Sequence, residues 1–278
     1  MSSFAYYNGR FDRKENITVP LKDRSICFGD AVYDVAIGCY DRILWEDEHI
    51  ARLLHGATRL GIEHSYSFEF ISSLLREIAV KSMIGSYIIY IQLSRSYETR
   101  KHSALGCSAN LLITIDPYEP DLCSPPMRLV TYIDKRYGYC DIKTTNLLPA
   151  VLASTEAEKS GFDEAIFIRD NLVTECSKSN ISILKQGRLV THPKSSHILP
   201  GITREHLLKV CEKINMPVFE EAFNLNDLLT ADEIIVTSST KLCRSASLVN
   251  DVKVGGRDTD RFNKIRSLLN RDYLDLIC

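Results

Sequence analysis

No run in this sequence approaches the eighteen or more apolar residues of a membrane helix, so no membrane span is expected. Charge of one sign is missing too: 34 Lys and Arg against 36 Asp and Glu leave a net −2. That balance gives no footprint for nucleic acid or for an anionic membrane surface, so the expected partner is a small molecule or another protein. The nine cysteines, at 27, 39, 107, 123, 140, 176, 211, 243 and 278, contain no Cys-x-x-Cys pair, which removes the zinc-knuckle and thioredoxin-like readings. Their odd number, without disulfide-like spacing, suits free thiols in a reducing compartment. The opening "MSSFAYYNGRF" has no basic segment followed by an apolar one, so no signal peptide is expected and the predicted location is cytoplasmic. Internal repeats and low-complexity tracts are also lacking.

What is present is an ordinary globular composition, 45% hydrophobic and 25% charged, over 278 residues. A chain of this length exceeds one hydrophobic core, which predicts two domains of roughly 120 to 150 residues or one large unit. The stretch "DPYEPDLCSPP", residues 116–126, holds four prolines in eleven residues and is the linker candidate. Residues 1–116 then form an N-terminal α/β domain, 117–126 the interdomain linker, and 127–278 a C-terminal domain carrying Lys143. Asn8-Gly9, Asp170-Asn171 and Gln186-Gly187 read as hairpin turns. "EDEHIARLLHGATRLGI" repeats apolar residues at helical spacing and stops at Gly61, and further helices are predicted near 68–81, 147–160, 203–215 and 258–274. Strand-like runs include "YIIYIQLS", "NLLITI", "RLVTYI" and "EIIVTSST". So many strands joined by tight turns predict an α+β fold with mostly antiparallel pairing.

Several residues carry chemistry, each beside an ordinary alternative. Lys143 in "YCDIKTTNLLPA" stands at a junction of strand and helix; a lysine is a covalent amine only where its neighbours depress its pKa, and otherwise it is a solvated surface group. Glu175 ends an apolar strand, where a carboxylate either faces water or is buried against a heterocyclic N–H⁺. In "LPGITREHLL", Thr203 reads as an N-cap, and Gly201-Ile202 offer backbone N–H groups at the positive end of a helix: an anion site or a plain helix start. Ser238, Ser239 and Thr240 leave another strand and could serve the same anion. Arg52 projects opposite the Ile50/Leu53/Leu54 stripe, so periodicity alone puts it on a solvated face. Arg100-Lys101-His102 alone looks like an exposed basic loop tip.

Taken together, "FGDAVYDV", "EHIARL", "CDIKTTNLL", "VTECSKSN", "LPGITR" and "VTSST" resemble, in order and spacing, the fold-type IV pyridoxal-phosphate enzymes. Within them the chain is most similar to the D-amino-acid aminotransferases, over Tyr6 to about Ser245. The resemblance implies an α+β, two-domain homodimer with pyridoxal 5′-phosphate as cofactor. Lys143 matches the lysine that carries the cofactor covalently, Arg52 its phosphate arginine, and Glu175 the acid that pairs with the pyridine nitrogen. Ser179 and Asn180 fall in the same cofactor motif. Leu199 matches the residue packed behind the ring, and Ile202, Thr203, Ser238 and Ser239 match phosphate donors. Tyr33, Arg100 and His102 match the D-specific trap for the substrate carboxylate, with the Arg-x-His pair lent by the neighbouring subunit. Ser96 and Thr99 depart from the glycine and proline usual in that loop, and Asp34 stands where a glutamate is usual. The implied activity is transamination between a D-amino acid of the D-alanine or D-glutamate type and a 2-oxo acid such as 2-oxoglutarate or pyruvate. Branched-chain L-aminotransferase, aminodeoxychorismate lyase and (R)-amine transaminase activities are the alternatives within the fold type. A non-catalytic cofactor-binding relic is the alternative outside enzymes, against which the filled chemical roles argue.

Overall fold

Turn chemistry sets the first sheet. Asn8 (φ 45°) and Gly9 (φ 96°) supply the two left-handed residues of a two-residue hairpin loop joining β1 (Phe4–Tyr7) to β2 (Arg10–Arg13). After α1 (Arg24–Phe28) come β3 (Ala31–Cys39), β4 (Arg42–Ile43), α2 (Glu46–Arg59), α3 (Phe68–Ser82), β5 (Ser86–Arg95) and β6 (Ala109–Pro117). The strands pair antiparallel in the order β2-β1-β6-β5-β3-β4. Three acids in the first turn of α2 complement its N-terminal dipole, and Gly61 (φ 65°) ends the chain's helical path. Ile50, Leu53 and Ala57 of α2 join Ile71, Leu75 and Ile78 of α3 in the core, against Ile89 and Ile91 of β5. The computed structural model of the chain describes residues 3–97 and 99–277.

Two units result, the first comprising Met1–Glu119, Ile142–Asn146 and Asp275–Cys278. The segment carrying Lys143 thus groups with the N-terminal part of the chain, whereas the sequence reading placed it in a domain spanning 127–278. The reason is an open strand edge. β4 covers β3 only at Gly38 and Cys39, leaving the start of β3 available on that side. Thr144 bridges to Val32 there, Tyr33 N–H donates to Lys143 O at 2.9 Å, and Thr145 N–H donates to Ala31 O at 3.1 Å.

The second unit, Pro120–Asp141 and Leu147–Leu274, holds β7 (Met127–Ile133), α4 (Leu148–Lys159), β8 (Glu164–Arg169), β9 (Leu172–Cys176), β10 (Asn180–Lys185) and β11 (Arg188–Thr191). It continues with α5 (Ile202–Lys213), β12 (Val218–Glu220), β13 (Phe223–Asn224), α6 (Leu225–Leu229), β14 (Glu233–Ser238), β15 (Leu242–Val249), β16 (Val252–Lys253) and most of α7 (Thr259–Ile277). The sheet order is β12-β11-β10-β14-β15-β7-β8-β9-β13, with β16 on β15. Most pairs are antiparallel; β7–β8, β15–β7 and β11–β12 are parallel. The β7-α4-β8 crossover supplies one parallel pair, and α4 packs there through Ala150, Ala153 and Ala157 onto Ala165 and Phe167. Pro149 falls in the first turn of α4, where a missing N–H is tolerated. Among the described residues no helix is long and apolar enough to cross a membrane, and the described cysteines are free thiols; Cys278 lies outside the described residues.

Candidate active site

In the first unit the backbone of Lys143 is pinned to β3 and its side chain turns to the same strand. Nζ lies 4.5 Å from the centre of the Tyr33 ring, and Lys143 is half-buried. Tyr33 in turn stacks on Tyr90 (centroids 5.3 Å apart, 23° between planes), whose hydroxyl donates to Gln92 Oε1 at 2.6 Å. An ammonium over an aromatic face is attracted by the ring quadrupole, so the aromatic pair fixes where the amine sits.

One residue along β3, Asp34 is fully buried and forked by Arg52. Nε and Nη2 donate to its two oxygens at 2.8 Å each, and His49 Nδ1 lies 2.7 Å from Oδ1. Burial by itself would raise the Asp34 pKa, but the charges of Arg52 and His49 and their hydrogen bonds outweigh it and hold the carboxyl well below the usual range. Arg52 is therefore not on the solvated face that helical periodicity suggests. Periodicity records which residues share a stripe; a long guanidinium at the stripe's margin reaches sideways to a buried carboxylate.

Arg100 and His102 gather on a different ring. The Arg100 guanidinium carbon is 4.7 Å from the centre of Phe28, and the His102 ring meets Phe28 edge-on at 5.6 Å. Both residues are exposed. The three candidates for a carboxylate trap thus fall into two groups, with Tyr33 on Lys143 and Tyr90, and Arg100 and His102 on Phe28.

In the second unit Glu175 is the next-to-last residue of β9, its carboxylate buried and well supplied with donors. Arg136 Nη1 donates to Oε1, while Asn180 Nδ2 and Leu199 N–H donate to Oε2 at 3.0 Å each. Asn180 also donates to Leu199 O at 2.8 Å, tying the start of β10 to the segment before α5. Arg136 was not among the residues singled out from sequence. It forks Asp134 (3.0 and 2.9 Å), donates to His197 O (3.0 Å) and covers the Phe167 ring at 4.3 Å. Burial opposes its charge, but Asp134 and Glu175 more than compensate and raise the Arg136 pKa above its ordinary value. The sequence signal was Asp134-x-Arg136 directly after an apolar strand, a pattern that also describes any solvated turn.

The start of α5 corrects one expectation. The N-cap is Gly201, with no side-chain cap, and Thr203 sits inside the first turn. Gly201 is required there: a Cβ would lie 2.0 Å from Asn180 Oδ1. Thr203 is therefore not used as a cap, and its buried Oγ1 has no hydrogen-bond partner. Thr237 Oγ1 is buried without a partner as well, and Thr237 pairs across the sheet with Asn180. Ser238 follows, its Oγ accepting from Lys241 N–H at 3.2 Å, with half-buried Ser239 after it. Orphan hydroxyls and first-turn N–H groups at one end of one sheet form a donor set waiting for acceptors, which is what a phosphate supplies. Ser179 is engaged elsewhere: its Oγ donates to buried Glu164 at 3.0 Å, which also accepts Lys241 Nζ at 2.5 Å and Lys178 N–H at 2.8 Å.

The profile of the family described as amino-transferase class IV matches residues 32–249. The chain belongs to this family of aminotransferases. Every candidate residue, from Tyr33 to Ser239, falls inside the matched span. A D-alanine aminotransferase of Bacillus licheniformis is 37% identical over 241 residues, 84% of each chain. One from Staphylococcus aureus (strain MSSA476) is 35% identical over 261 residues, covering 90% of this aminotransferase and 92% of that one. Among solved structures, the branched-chain aminotransferase of the thermophilic archaeon Thermoproteus uzoniensis with norvaline matches at a TM-score of 0.90 and 22% identity, covering 98% of this chain and 94% of that one. At that identity the likeness is one of fold, and the fold-type IV architecture implied by the motifs is the one observed.

Proposed function

We propose that this aminotransferase moves the amino group of a D-amino acid of the D-alanine or D-glutamate type to a 2-oxo acid such as 2-oxoglutarate or pyruvate, with pyridoxal 5′-phosphate as cofactor. The observation that carries the D-specific part is the identity, over most of both chains, to relatives named D-alanine aminotransferase. The residues fit the cofactor. In the second unit the unpartnered Thr203 hydroxyl, the α5 first-turn N–H groups and the Ser238 and Ser239 hydroxyls suit its phosphate; in the first, Arg52, oriented by Asp34, is the cation that the family resemblance assigns to that phosphate. Glu175, held by three donors, suits a protonated ring nitrogen. Ile202 and Leu199 flank that donor set and Asn180 links its two ends, while Ser179 is bound to Glu164.

When bound, the cofactor supplies a sink for the electron pair left at the substrate Cα and a carbon that stores the amino group between half-reactions. The chain's residues do the rest. Lys143 Nζ is the amine of covalent attachment and, once displaced by the incoming amino group, the base that takes the proton from Cα. Tyr33 holds that amine in place through its ring. Glu175 keeps the proton on the ring nitrogen, and Arg136 fixes Glu175 in turn. Tyr33, with Arg100 and His102 lent by a second copy of the chain, holds the substrate carboxylate, which makes the working form a homodimer. The free thiols suit a reducing, cytoplasmic setting.

A panel of D- and L-amino-acid donors tests the reading. D-alanine or D-glutamate should react far faster than any L-amino acid; preference for L-leucine, or equal use of donors lacking a carboxylate, would overturn it. Mixing Arg100→Ala, assayed well below its raised KM where it turns over little, with inactive Lys143→Ala should restore part of the activity through one intact composite site per heterodimer. No recovery despite proven subunit exchange would remove the shared-site part.

A further inference from the structure

The loop between β5 and β6 carries Arg100 and His102, yet it has Ser96 and Thr99 where its look-alikes have a glycine and a proline. Neither Ser96 nor Thr99 restricts the backbone as a proline would. A neighbouring segment holds it instead. At the loop's base, buried Asp23 accepts from Ser94 Oγ at 2.7 Å and Asn110 Nδ2 at 2.9 Å, and Tyr97 N–H donates to Lys22 O at 3.1 Å. At its tip, Arg24 reaches in. Arg24 is 3% exposed, and its guanidinium donates through Nη1 to Lys101 O at 2.7 Å and through Nη2 to His102 O at 2.9 Å. Nε donates to Asp30 Oδ2 at 2.6 Å, which gives the buried cation its counter-charge. The same guanidinium lies 4.4 Å from the centre of Phe28, the ring that Arg100 and His102 also contact.

This use of an arginine is specific. If only a partner for Asp30 were needed, one donor would suffice; two of the three nitrogens instead address the carbonyls of Lys101 and His102. Only a planar fork can reach a carboxylate and two carbonyls at once. We infer that Arg24 and Phe28 are positioning residues that hold Arg100 and His102 in the geometry in which they receive the substrate carboxylate. The inference rests on the D-specific reading above. Arg24 touches no substrate itself; it fixes the peptides on both sides of the His102 Cα, while Phe28 orients the two side chains from one ring. Pre-organisation of this kind appears in substrate affinity rather than in the chemical step.

Arg24→Gln and Phe28→Leu, each in the full chain loaded with pyridoxal phosphate, test it beside Arg100→Ala. Both positioning variants should raise KM for D-alanine and for the 2-oxo acid about tenfold, or ~1.4 kcal/mol. kcat should stay within about threefold and cofactor absorbance should not change; Tm should fall for Arg24→Gln, which leaves Asp30 to Arg95 alone, and less for Phe28→Leu. If Arg100→Ala raises KM while Arg24→Gln and Phe28→Leu, folded at the assay temperature, do not, the positioning role is overturned and the trap stands. A fall in kcat at unchanged KM overturns it too. If Arg100→Ala leaves KM unchanged, the D-specific reading fails and takes the inference with it. Should Arg24→Gln not fold, Phe28→Leu decides, since it leaves the Arg24 fork in place.

Discussion

Thr203→Val separates the cost of an unpartnered hydroxyl from its use. Thr203 is 1% exposed and its Oγ1 has no partner, so the protein without cofactor carries a desolvated donor. Leaving such a group unsatisfied costs about 1–3 kcal/mol, and valine puts a methyl of similar size in its place. Without cofactor the variant should therefore be as stable as the parent or more so by about 1 kcal/mol, a rise of a few degrees in Tm at most for a chain of this size. With cofactor the sign reverses. A hydrogen bond to a charged acceptor contributes about 1.5–3 kcal/mol, so affinity for pyridoxal phosphate should fall about 10- to 150-fold. Thermal melts of the cofactor-free protein and a cofactor titration followed by absorbance measure both quantities. Pyridoxal, which lacks the phosphate, should bind parent and variant alike. A variant destabilised by more than about 1 kcal/mol without cofactor, and unchanged in affinity with it, would show that Thr203 is structural and that the donor set at α5 serves something else.

Glu175→Gln should keep the cofactor but slow turnover about 10²–10³-fold, because a neutral amide cannot hold the ring nitrogen protonated; full activity would reduce Glu175 to a strut for Arg136. Asp34→Asn should cost about 3 kcal/mol of stability at neutral pH by stranding Arg52 from its carboxylate. Its pH dependence has a fixed sign. The folded Asp34 pKa lies below the ordinary 3.8, so its contribution is complete above that value and is lost as pH falls from there toward the folded one. Denaturation midpoints of parent and variant should therefore differ by a constant amount near neutrality and converge only in strong acid; convergence already at pH 6 would contradict the pairing.

Much of this arrangement is legible in the sequence itself. Hairpin turns at Asn8-Gly9, Asp170-Asn171 and Gln186-Gly187 were readable because left-handed residues announce themselves by type. The helices α2 and α3 were readable because their apolar residues recur over three or more turns. Short elements such as α1, β12 and α6 offer too few residues for any period to show. Register was harder. Nothing in "CDIKTTN" says that it will lie along Ala31–Tyr33, since that pairing depends on how much of β3 the two-residue β4 leaves uncovered. The site residues stood out through their motifs, while their partners did not. Arg136 and Arg24 do their work by reaching a carboxylate or a carbonyl far away in sequence, and a charged residue read alone looks like surface. Thr203 shows the converse: a good capping residue by type, displaced from the cap because Gly201 is the residue that fits beside Asn180.

Every role proposed for the site depends on Lys143 being the amine that binds the cofactor covalently. Borohydride reduction of the cofactor-loaded protein, followed by peptide mapping, reads this out. Loss of the visible absorption and a single reduced adduct on Lys143 are expected, with none in Lys143→Ala. An adduct on Lys135, Lys178 or Lys241, or an unmodified Lys143 peptide from protein that has lost its colour, would contradict it.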